Sequence, residues 1–398
     1  MSIFCPADVM IPKEEYLNHW PVIACDQFTS DSSYWDRVRS QVSESPSTVN
    51  MIIPESDLKR VTDIDSKVQS VVSHMRKYEN DQIYRIFKNS LVYVERTLIN
   101  GNIRKGVIGC IDLKYYDFSR NSQSPIRATE ETVVDRLPPR IKIREKAIVE
   151  LPHTILFCND EKRSVIEYLT ERKSFMKKIY DLDLIENGGH VEGWILDRES
   201  QDKFLRKISD YELNHKELSY IVGDGNHSLA AAKYYYDKTG INGDCLQRYA
   251  LVELENLYDE SIVFEPIHRV VTNCDCKKLT EYLKKSSDES GESVELICSK
   301  GSESVKFNSR LVVGKVQKLI DEFLTNNSGY IDYIHDKEFL VNSLKSNDSL
   351  GIILPEIDKD SIFSFIVKTN HPLPRKTFSV GHSTEKRYYL ECRKIRQD

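Results

Sequence analysis

One short segment limits the fold of this chain more than any other, because an apolar run passes through a glycine turn into an alanine-rich stretch. Residues 218–222 read Leu-Ser-Tyr-Ile-Val, which predicts a strand, and residues 223–228 read Gly-Asp-Gly-Asn-His-Ser. Residues 229–233, Leu-Ala-Ala-Ala-Lys, favour a helix because alanine and leucine have high helix propensities. The sequence therefore predicts a strand, a turn and a helix in direct succession.

The turn has the composition of an anion-binding helix start. A helix N-terminus carries unpaired N–H groups and partial positive charge, and glycine lets a ligand approach the backbone closely. Asn226, His227 and Ser228 add side-chain donors, while Asp224 is placed to hold a cation or a reacting hydroxyl. A capped helix with a hydrogen-bonded histidine explains the same residues equally well. The spacing alone leaves a phosphate site and a purely structural turn both open.

The composition indicates a globular protein of several domains. With 398 residues, 40% of them hydrophobic and 30% charged, the chain is long enough for about two or three compact domains. Its formal charge of −6 disfavours a general nucleic-acid binder, which needs clustered and uncompensated lysine and arginine. Any anionic substrate must therefore be held by a local positive site.

The N-terminus and the cysteines predict a cytoplasmic protein. The first residues lack a basic region followed by a signal-peptide apolar run, and no stretch has the roughly 18 apolar residues of a spanning helix. The nine cysteines are scattered singly, which is typical of reduced thiols. Cys274 and Cys276 form a close pair without a second pair at zinc-finger spacing, so we expect no structural zinc.

Three segments differ in composition and motif density. We expect an N-terminal α+β segment at 1–125, a core at 126–272 that contains the turn, and a C-terminal α+β segment at 273–398. Apolar runs predict strands, apolar residues at helical spacing predict helices, and Asn100-Gly101 predicts a hairpin turn. The expected strands lie at 20–26, 91–94, 106–109, 154–158, 190–196, 218–222, 293–310 (a pair) and 351–354. The expected helices lie at 31–44, 55–77, 161–180, 314–325 and 336–346, with another from residue 229.

A second cluster of charged residues precedes residue 140. Arg127, just before an expected helix start, suits an oxyanion clamp, while Glu130 or Asp135 suits a base or a metal ligand. The alternative is a capping box from Thr129 to Thr132 with surface ion pairs. For the motif in isolation, this structural alternative is favoured.

Two further groups are candidates for the same chemistry. Arg375 and Lys376 are adjacent cations after a proline, which suits a multiply charged ligand, and Lys386-Arg387 are nearby in the sequence. Asp26 ends an apolar run, where a carboxylate with a tuned pKa serves as general base toward a hydroxyl. A solvated surface run explains the first group, and a helix cap explains Asp26 about as well.

The common catalytic signatures are missing from the chain. It has no Walker A loop, no G-x-G-x-x-G, no G-x-S-x-G, no H-E-x-x-H and no C-x-x-C. These absences remove the usual nucleotide-binding, serine hydrolase, metalloprotease and thioredoxin interpretations. The remaining candidate residues converge on phosphate chemistry.

Several blocks resemble the ParB/sulfiredoxin-like superfamily. The strand, the Gly-Asp-Gly-Asn-His-Ser turn and the alanine-rich helix are similar to its signature turn. Further blocks resemble one long branch of the superfamily, known as a domain of unknown function. They are WPVIACDQ at 20–27, IRATE at 126–130, DRLPPR at 135–140, FEPIHR at 264–269 and PRKTFS at 374–379. The resemblance spans nearly the whole chain.

The resemblance implies both a fold and an activity. The implied fold is α+β or mixed α/β, a ParB/sulfiredoxin-like core with a mixed sheet between N-terminal and C-terminal α+β segments. The long branch resembles pyrophosphate-dependent serine kinases, which make O-phospho-L-serine in the cytoplasm. Pyrophosphate has no base or ribose, so its site needs arginine or lysine groups, a helix N-terminus and Mg2+.

On this resemblance, the expected site combines the turn with charged groups that are distant in sequence. The expected phosphate-binding residues are Arg127, Thr129, Gly225, Asn226, His227, Ser228, Arg375 and Lys376. Asp26 is the first choice for the general base, with Glu130 or Asp224 as substitutes, and Asp224 is also the expected Mg2+ ligand. The expected partners are L-serine and pyrophosphate, without nucleic acid or membrane.

Two departures from the superfamily pattern keep alternatives open. Sulfiredoxins carry a reactive cysteine where this turn has Asn226-His227, so we do not expect sulfinic acid reduction. Related kinases usually end the turn with arginine, whereas this chain has Ser228, so another residue must supply that cation. The alternatives are an ATP- or ADP-dependent kinase of serine or another small hydroxyl compound, a ParB-like nucleotide or nucleic-acid binding module, and a scaffold that has lost activity.

Overall fold

The computed structural model describes most of the chain and divides it into two compact units. The described residues are 2–23, 32–54, 57, 63–151, 154–240, 243–299, 301–309, 311–334, 337–344, 348–374, 376–381 and 385–396. Unit 1 comprises Met1–Ile262 with His382–Asp398, and unit 2 comprises Val263–Gly381.

Strands and helices are numbered here in chain order. The strands are β1 Phe4–Cys5, β2 Ala7–Pro12, β3 Val22–Ile23, β4 Tyr84–Ser90, β5 Val92–Thr97, β6 Ile103–Asp112, β7 Tyr116–Asp117, β8 Ile126–Ala128, β9 Val149–Glu150, β10 Thr154–Cys158, β11 Lys177–Asp183, β12 His190–Ile195, β13 Tyr220–Asp224, β14 Tyr249–Asn256, β15 Phe264–Pro266, β16 His268–Thr272, β17 Glu292–Cys298, β18 Gly301–Phe307, β19 Tyr330–Ile334, β20 Ser349–Ile353, β21 Phe378–Val380, β22 Tyr388–Tyr389 and β23 Arg393–Lys394. The helices are α1 Ser32–Val42, α2 Ile64–Asn80, α3 Leu137–Lys146, α4 Leu169–Arg172, α5 Arg198–Asn214, α6 Asn226–Thr239, α7 Cys276–Lys285, α8 Val312–Thr325, α9 Lys337–Ser343 and α10 Lys359–Thr369.

A mixed sheet dominates unit 1. Within the described ranges it has ten strands, in the order β11-β12-β5-β6-β14-β10-β13-β8-β7, with β1 beside β6. β10 runs parallel to β14, and β13 runs parallel to β8. The pairs β5–β6 and β6–β14 are antiparallel. The sequence prediction of a mixed α/β fold with a mixed sheet is therefore confirmed.

Both faces of this sheet are covered by apolar side chains. Successive residues of a strand point to opposite faces, so Val92 and Val94 of β5 enter one core while Tyr93 enters the other. The first core also takes Trp35 of α1, and the second takes Phe204 of α5. The central strands therefore read as nearly continuous apolar runs.

The strand, turn and helix expected around residue 225 are present. β13 ends at Asp224, α6 begins at Asn226, and Gly225 alone connects them. The helix buries Leu229 and Ala232 in the core beneath the sheet, while Ala230 lies in a small cluster with Leu137 of α3. Small alanine side chains thus let α6 pack closely on two sides.

The prediction of a helix at 161–180 is wrong. The structure has the four-residue helix α4, a 3-10 turn at Lys173–Phe175 and then strand β11. Asp160 accepts hydrogen bonds from the N–H groups of Ser164 at 2.6 Å and Val165 at 2.7 Å, which holds a tight non-helical turn. Pairing of β11 with β12 then overrides the local helical preference.

The compact units differ from the expected segments. The expected boundary at residue 125 falls inside unit 1, because β6 and β14, on either side of it, pair in one sheet. The chain also returns to unit 1 at His382, so the expected C-terminal segment is divided between the units. Long-range strand pairing produces both differences, and composition does not reveal such pairing.

Unit 2 is built on an antiparallel sheet. Its five strands lie in the order β18-β17-β20-β16-β19, and β15 pairs with β21 separately. The helix expected at 314–325 corresponds to α8, which buries Val316, Ile320 and Phe323. Among the described residues of the chain, no helix is long and apolar enough to span a bilayer.

Candidate functional site

Gly225 creates an open helix start. Its backbone is left-handed, with φ 82° and ψ 16°, a conformation that glycine adopts without strain. A Cβ at this position would lie 3.0 Å from Thr154 Cα. Because glycine has no side chain to cap α6, the first N–H groups of the helix are not screened by a capping residue. Such helix starts attract anions.

The side chains of Asn226 and His227 hold a neighbouring segment against the turn. Asn226 Nδ2 donates to Glu130 O at 2.9 Å, and the Tyr116 hydroxyl donates to Asn226 Oδ1 at 3.0 Å. Val133 N donates to His227 Nε2 at 3.2 Å, which assigns the ring proton to Nδ1. A ligand at the helix start would therefore meet main-chain N–H groups first, while these side chains fix residues 130–133.

Three buried oxygen atoms near the turn lack a hydrogen-bond partner among the described residues. They are Asp224 Oδ2, Thr154 Oγ1 and Thr132 Oγ1. Asp224 Oδ1 accepts from Gly225 N at 2.7 Å, and Thr154 Oγ1 would lie 3.0 Å from a Cβ on Gly225. A buried polar group without a partner costs about 1 to 3 kcal/mol. These oxygens therefore indicate a place for a cation, a water molecule or a polar ligand.

Arg387 supplies a cation at the turn. Its Nη1 donates to Ser228 Oγ at 3.1 Å and would lie 3.2 Å from a Cβ on Gly225. The guanidinium also lies 5.4 Å from the ring centroid of Tyr389, and the residue is only 8% exposed. A guanidinium from the C-terminal part of unit 1 therefore lies beside Ser228.

The sequence pattern did not identify Arg387 as a candidate site residue. Its partner Ser228 is 159 positions away, and no local pattern links the two. The available signal was the serine at the end of the turn, which required a cation from elsewhere, together with the basic pair Lys386-Arg387.

Arg127 and Thr129 bond to the backbone instead of facing the turn. Arg127 Nε donates to Ser124 O at 2.9 Å and Nη2 donates to Glu217 O at 2.8 Å, while burial lowers its pKa. Glu217 precedes β13 and the turn follows it, so this guanidinium bonds at the opposite end of the strand. The Thr129 hydroxyl donates to Val222 O within the sheet. The described bonds of Arg127 thus lead to backbone carbonyls away from the turn, and its role as an oxyanion clamp stays a prediction.

The remaining expected residues divide into three groups. Asp26 and Arg375 lie outside the described residues. Lys376 belongs to unit 2, where its carbonyl accepts from Arg269 Nη1 at 2.8 Å. The structure brings together Glu130, Asp224, Gly225, Asn226, His227 and Ser228.

A cavity of about 130 Å3 lies beside Ser228 and Arg387. Much of its wall is apolar, from Met51, Ile52, Ile53, Met75, Pro139 and Ile143. Arg144 Nη1 and Glu150 Oε2, 2.6 Å apart, add a buried ion pair, and Arg144 Nε has no partner among the described residues. Burial alone would raise the pKa of Glu150, but Arg393 and Arg144 lower it overall. An apolar surface and fixed charges thus adjoin the turn.

Several solved structures are similar to this chain. A conserved hypothetical protein from Pyrococcus furiosus has 15% identity and a TM-score of 0.35, over 71% of this chain and 90% of its own. A free serine kinase in complex with AMP has 13% identity and a TM-score of 0.37, over 72% and 90%. SbnI from Staphylococcus aureus, with a C-terminal truncation, has 8% identity and a TM-score of 0.38, over 69% and 82%.

Sequence comparison gives a family assignment without a function. No curated protein sequence matches the chain. Residues 6–396 match the profile of the family described as protein of unknown function, DUF1015, and the chain therefore belongs to that family.

Proposed function

We propose that this protein is a kinase that transfers a phosphoryl group from inorganic pyrophosphate to the hydroxyl of free L-serine. The serine oxygen forms a bond to one phosphorus atom while the bond from that phosphorus to the bridging oxygen breaks. The products are O-phospho-L-serine and orthophosphate, and the serine proton passes to a carboxylate. The observation that carries the proposal is Arg387 beside Gly225 and Ser228 at an uncapped helix start. The resemblance of the sequence blocks to serine kinases supports the acceptor.

The turn suits a compact, highly charged donor. Main-chain N–H groups at the start of α6 and the Arg387 guanidinium supply hydrogen bonds and positive charge from two directions. Phosphoryl transfer needs alignment of the reacting groups and charge stabilisation more than covalent participation by the protein. Although the net charge of the chain is −6, the turn has local positive charge that suits a phosphate group.

The oxygen atoms at the turn fit Mg2+. This ion prefers carboxylate and hydroxyl oxygens, water and phosphate oxygens. Asp224 Oδ2 and Thr154 Oγ1 are buried oxygens that lack a partner among the described residues. In the proposal Asp224 would hold the ion, with the Thr154 hydroxyl as a further polar group at the same turn. When bound, Mg2+ neutralises charge on the phosphate groups.

Three carboxylates are proposed for the serine proton. Asp26 is the first choice because it ends an apolar run in a block that resembles the serine kinases. Glu130 belongs to the segment that Asn226 holds at the turn, and Asp224 is at the turn itself. If Asp26 is the base, Asp26→Asn lowers kcat strongly at every Mg2+ concentration. Loss of the metal ligand in Asp224→Asn instead raises the Mg2+ concentration needed for half-maximal rate.

Product analysis tests the proposal. The protein is incubated with L-serine, Mg2+ and pyrophosphate, and phosphorus NMR follows the products. We expect one phosphoserine for each orthophosphate and a rate at least about tenfold lower in Arg387→Ala, since a charge-assisted hydrogen bond contributes about 1.5 to 3 kcal/mol. Arg85→Ala is the control, because Arg85 bonds to Pro12 O and Ile179 O instead of the turn. The absence of phosphoserine with every phosphate donor would reject the kinase.

The apolar cavity supports a second candidate, an ATP- or ADP-dependent kinase with the same acceptor. A nucleotide base would use the apolar surface beside Ser228 and Arg387, whereas pyrophosphate makes no use of it. Rates with pyrophosphate, ADP and ATP at equal concentration distinguish the donors. Ala147→Leu adds bulk to the cavity wall, so it should lower the rate with nucleotides and spare the rate with pyrophosphate.

A further inference from the structure

Residues 385–389, named here the strap, carry Arg387 to the turn. On the C-terminal side of Arg387, Tyr388 and Tyr389 form β22 and pair antiparallel with β3, opposite Ile23 and Val22 respectively. This strand ladder fixes the backbone directly after Arg387. The reach of Arg387 to Ser228 therefore depends on how the other end of the strap is held.

Arg96 of β5 binds the other end of the strap. Its Nη1 donates to Lys386 O at 2.7 Å and to Glu385 O at 3.1 Å. Its Nε and Nη2 donate to Gly188 O at 3.1 and 2.7 Å, and its Cζ lies 5.2 Å from the ring centroid of Tyr388. This one guanidinium thus bonds to two successive strap carbonyls.

Arg104 of β6 adds a third bond to the strap. It lies directly opposite Arg96 across the β5–β6 ladder, and its Nη1 donates to Glu385 O at 3.0 Å. Arg104 Nε is 4.0 Å from Glu255 Oε2, and Arg104 Nε and Nη2 have no hydrogen-bond partner among the described residues. The hydrogen bond described for Arg104 is therefore the one to Glu385 O of the strap.

Placing these two arginines side by side is unfavourable in itself. Each is only 3% exposed. Burial, and then the neighbouring charge of Arg104, lower the pKa of Arg96 to about 10. Replacing buried charged groups with well-packed apolar residues of similar volume is often neutral or stabilising. Besides its contacts with Gly188 O and Glu255, this arginine pair provides bonds to the strap that an apolar pair would not.

We propose that Arg96 and Arg104 are positioning residues that hold the strap so that Arg387 reaches the turn. Hydrogen bonds to main-chain groups then fix the backbone on both sides of Arg387. This reduces the conformational freedom that its long side chain must lose on binding an anion. This inference rests on the proposed function, in which Arg387 binds the phosphoryl donor.

Lysine substitutions test the positioning role. Lysine keeps the charge but lacks the planar guanidinium with which Arg96 bonds through Nη1 to the strap carbonyls and through Nε and Nη2 to Gly188 O. In Arg96→Lys and Arg104→Lys we expect amide hydrogen exchange in the strap to be at least about tenfold faster, and the pyrophosphate KM to rise about tenfold with a smaller change in kcat. Arg85→Lys is the matched control, because Arg85 also bonds to backbone carbonyls but not to the strap.

A double-mutant cycle with Arg387→Ala separates positioning from general stability. If Arg96 and Arg104 act through Arg387, their lysine variants raise KM in the wild-type background and leave it unchanged in the Arg387→Ala background. A KM effect that persists without Arg387, or strap exchange that is unchanged in both lysine variants, overturns the positioning role. If the wild type makes no phosphoserine, the proposed function fails, and strap exchange still decides whether the arginines hold the strap.

Discussion

Arg387 Nη1 donates a hydrogen bond to Ser228 Oγ at 3.1 Å and joins residues 159 positions apart. The bond places a guanidinium at the first turn of α6, where the backbone already favours negative charge. In the proposed site, Arg387 would provide the cation that Ser228 lacks. The local positive charge of the site is assembled from two distant parts of unit 1.

Gly225→Ala tests the open helix start, with Gly240→Ala as its matched control. Both glycines are left-handed, with φ 82° and 62°, so each alanine should cost about 1 to 2 kcal/mol of unfolding free energy. Only a Cβ at Gly225 lies 3.2 Å from Arg387 Nη1, whereas nothing lies within 4 Å of one at Gly240. Denaturant titration should show the larger destabilisation in Gly225→Ala, because its Cβ would also lie 3.0 Å from Thr154 Cα, and calorimetry with pyrophosphate should show a loss of affinity in Gly225→Ala alone. Equal affinities in the two variants would contradict the prediction.

Thr154→Val tests the buried oxygen beside the turn. The valine removes a hydroxyl that has no partner among the described residues, so we expect about 1 kcal/mol of added stability but weaker donor binding. Thr129→Val is the opposite case, because its hydroxyl donates to Val222 O, and it should lose about 1 kcal/mol without a change in affinity. Thermal unfolding and pyrophosphate titration of both variants provide the comparison. Destabilisation of both by the same amount would show that Thr154 is an ordinary core residue.

The turn and its flanking elements could be predicted because their signals are local. An apolar run marks β13, glycine permits the left-handed turn at residue 225, and alanines favour α6. The role of Arg387 could not be predicted in the same way, because its contact with Ser228 depends on strap residues held by β3, β5 and β6. The backbone of the candidate site comes from one short segment, whereas its cation comes from a residue that is distant in sequence.

The helix expected at 161–180 is absent, and the described bonds of Arg127 lead away from the turn, for a related reason. Residues 177–183 have charged positions that suit a helix surface, but pairing with β12 makes them an edge strand. Arg127 belongs to the block at 126–130, but from its position in β8 its guanidinium bonds to Glu217 O, which precedes β13. Sequence spacing identifies candidate residues, whereas strand pairing decides which end of the sheet they reach.

Arg127→Met tests whether that arginine has a structural role. Loss of the bonds to Ser124 O and Glu217 O should cost about 1 to 3 kcal/mol of unfolding free energy. The pyrophosphate KM should stay within about twofold of the wild type, because the guanidinium is at the far end of β13. Steady-state kinetics and chemical denaturation measure both effects. A large rise in KM with unchanged stability would restore Arg127 to the phosphate site.

Glu150→Gln tests the ion pair in the cavity wall. Arg393 and Arg144 hold the pKa of Glu150 below its ordinary value of 4.5, despite the opposing effect of burial. A carboxylate with a lowered folded pKa stabilises the protein above its ordinary pKa, and this contribution is lost as pH falls through the folded pKa. Glu150→Gln should therefore cost about 3 kcal/mol at pH 7 and flatten the fall in Tm below about pH 4.5.

Glu255→Gln is the matched control for the pH experiment. Burial raises the pKa of Glu255 well above 4.5, so its contribution is present at low pH and is lost as pH rises through the raised pKa. Glutamine has the shape of the protonated acid, so the variant should lose less than about 1 kcal/mol and should be relatively more stable at high pH. Measurement of Tm against pH for both variants tests whether the pKa values of Glu150 and Glu255 are shifted in opposite directions. Equal losses at pH 7 would contradict the opposite pKa shifts.

A crystal structure of the protein with phosphoserine and orthophosphate bound tests the central claim most directly. We predict phosphate oxygens within hydrogen-bond distance of the main-chain N–H groups of residues 226–228 and of the Arg387 guanidinium. Phosphate groups bound elsewhere in the chain, with the start of α6 and Arg387 free of ligand, would contradict the proposed site.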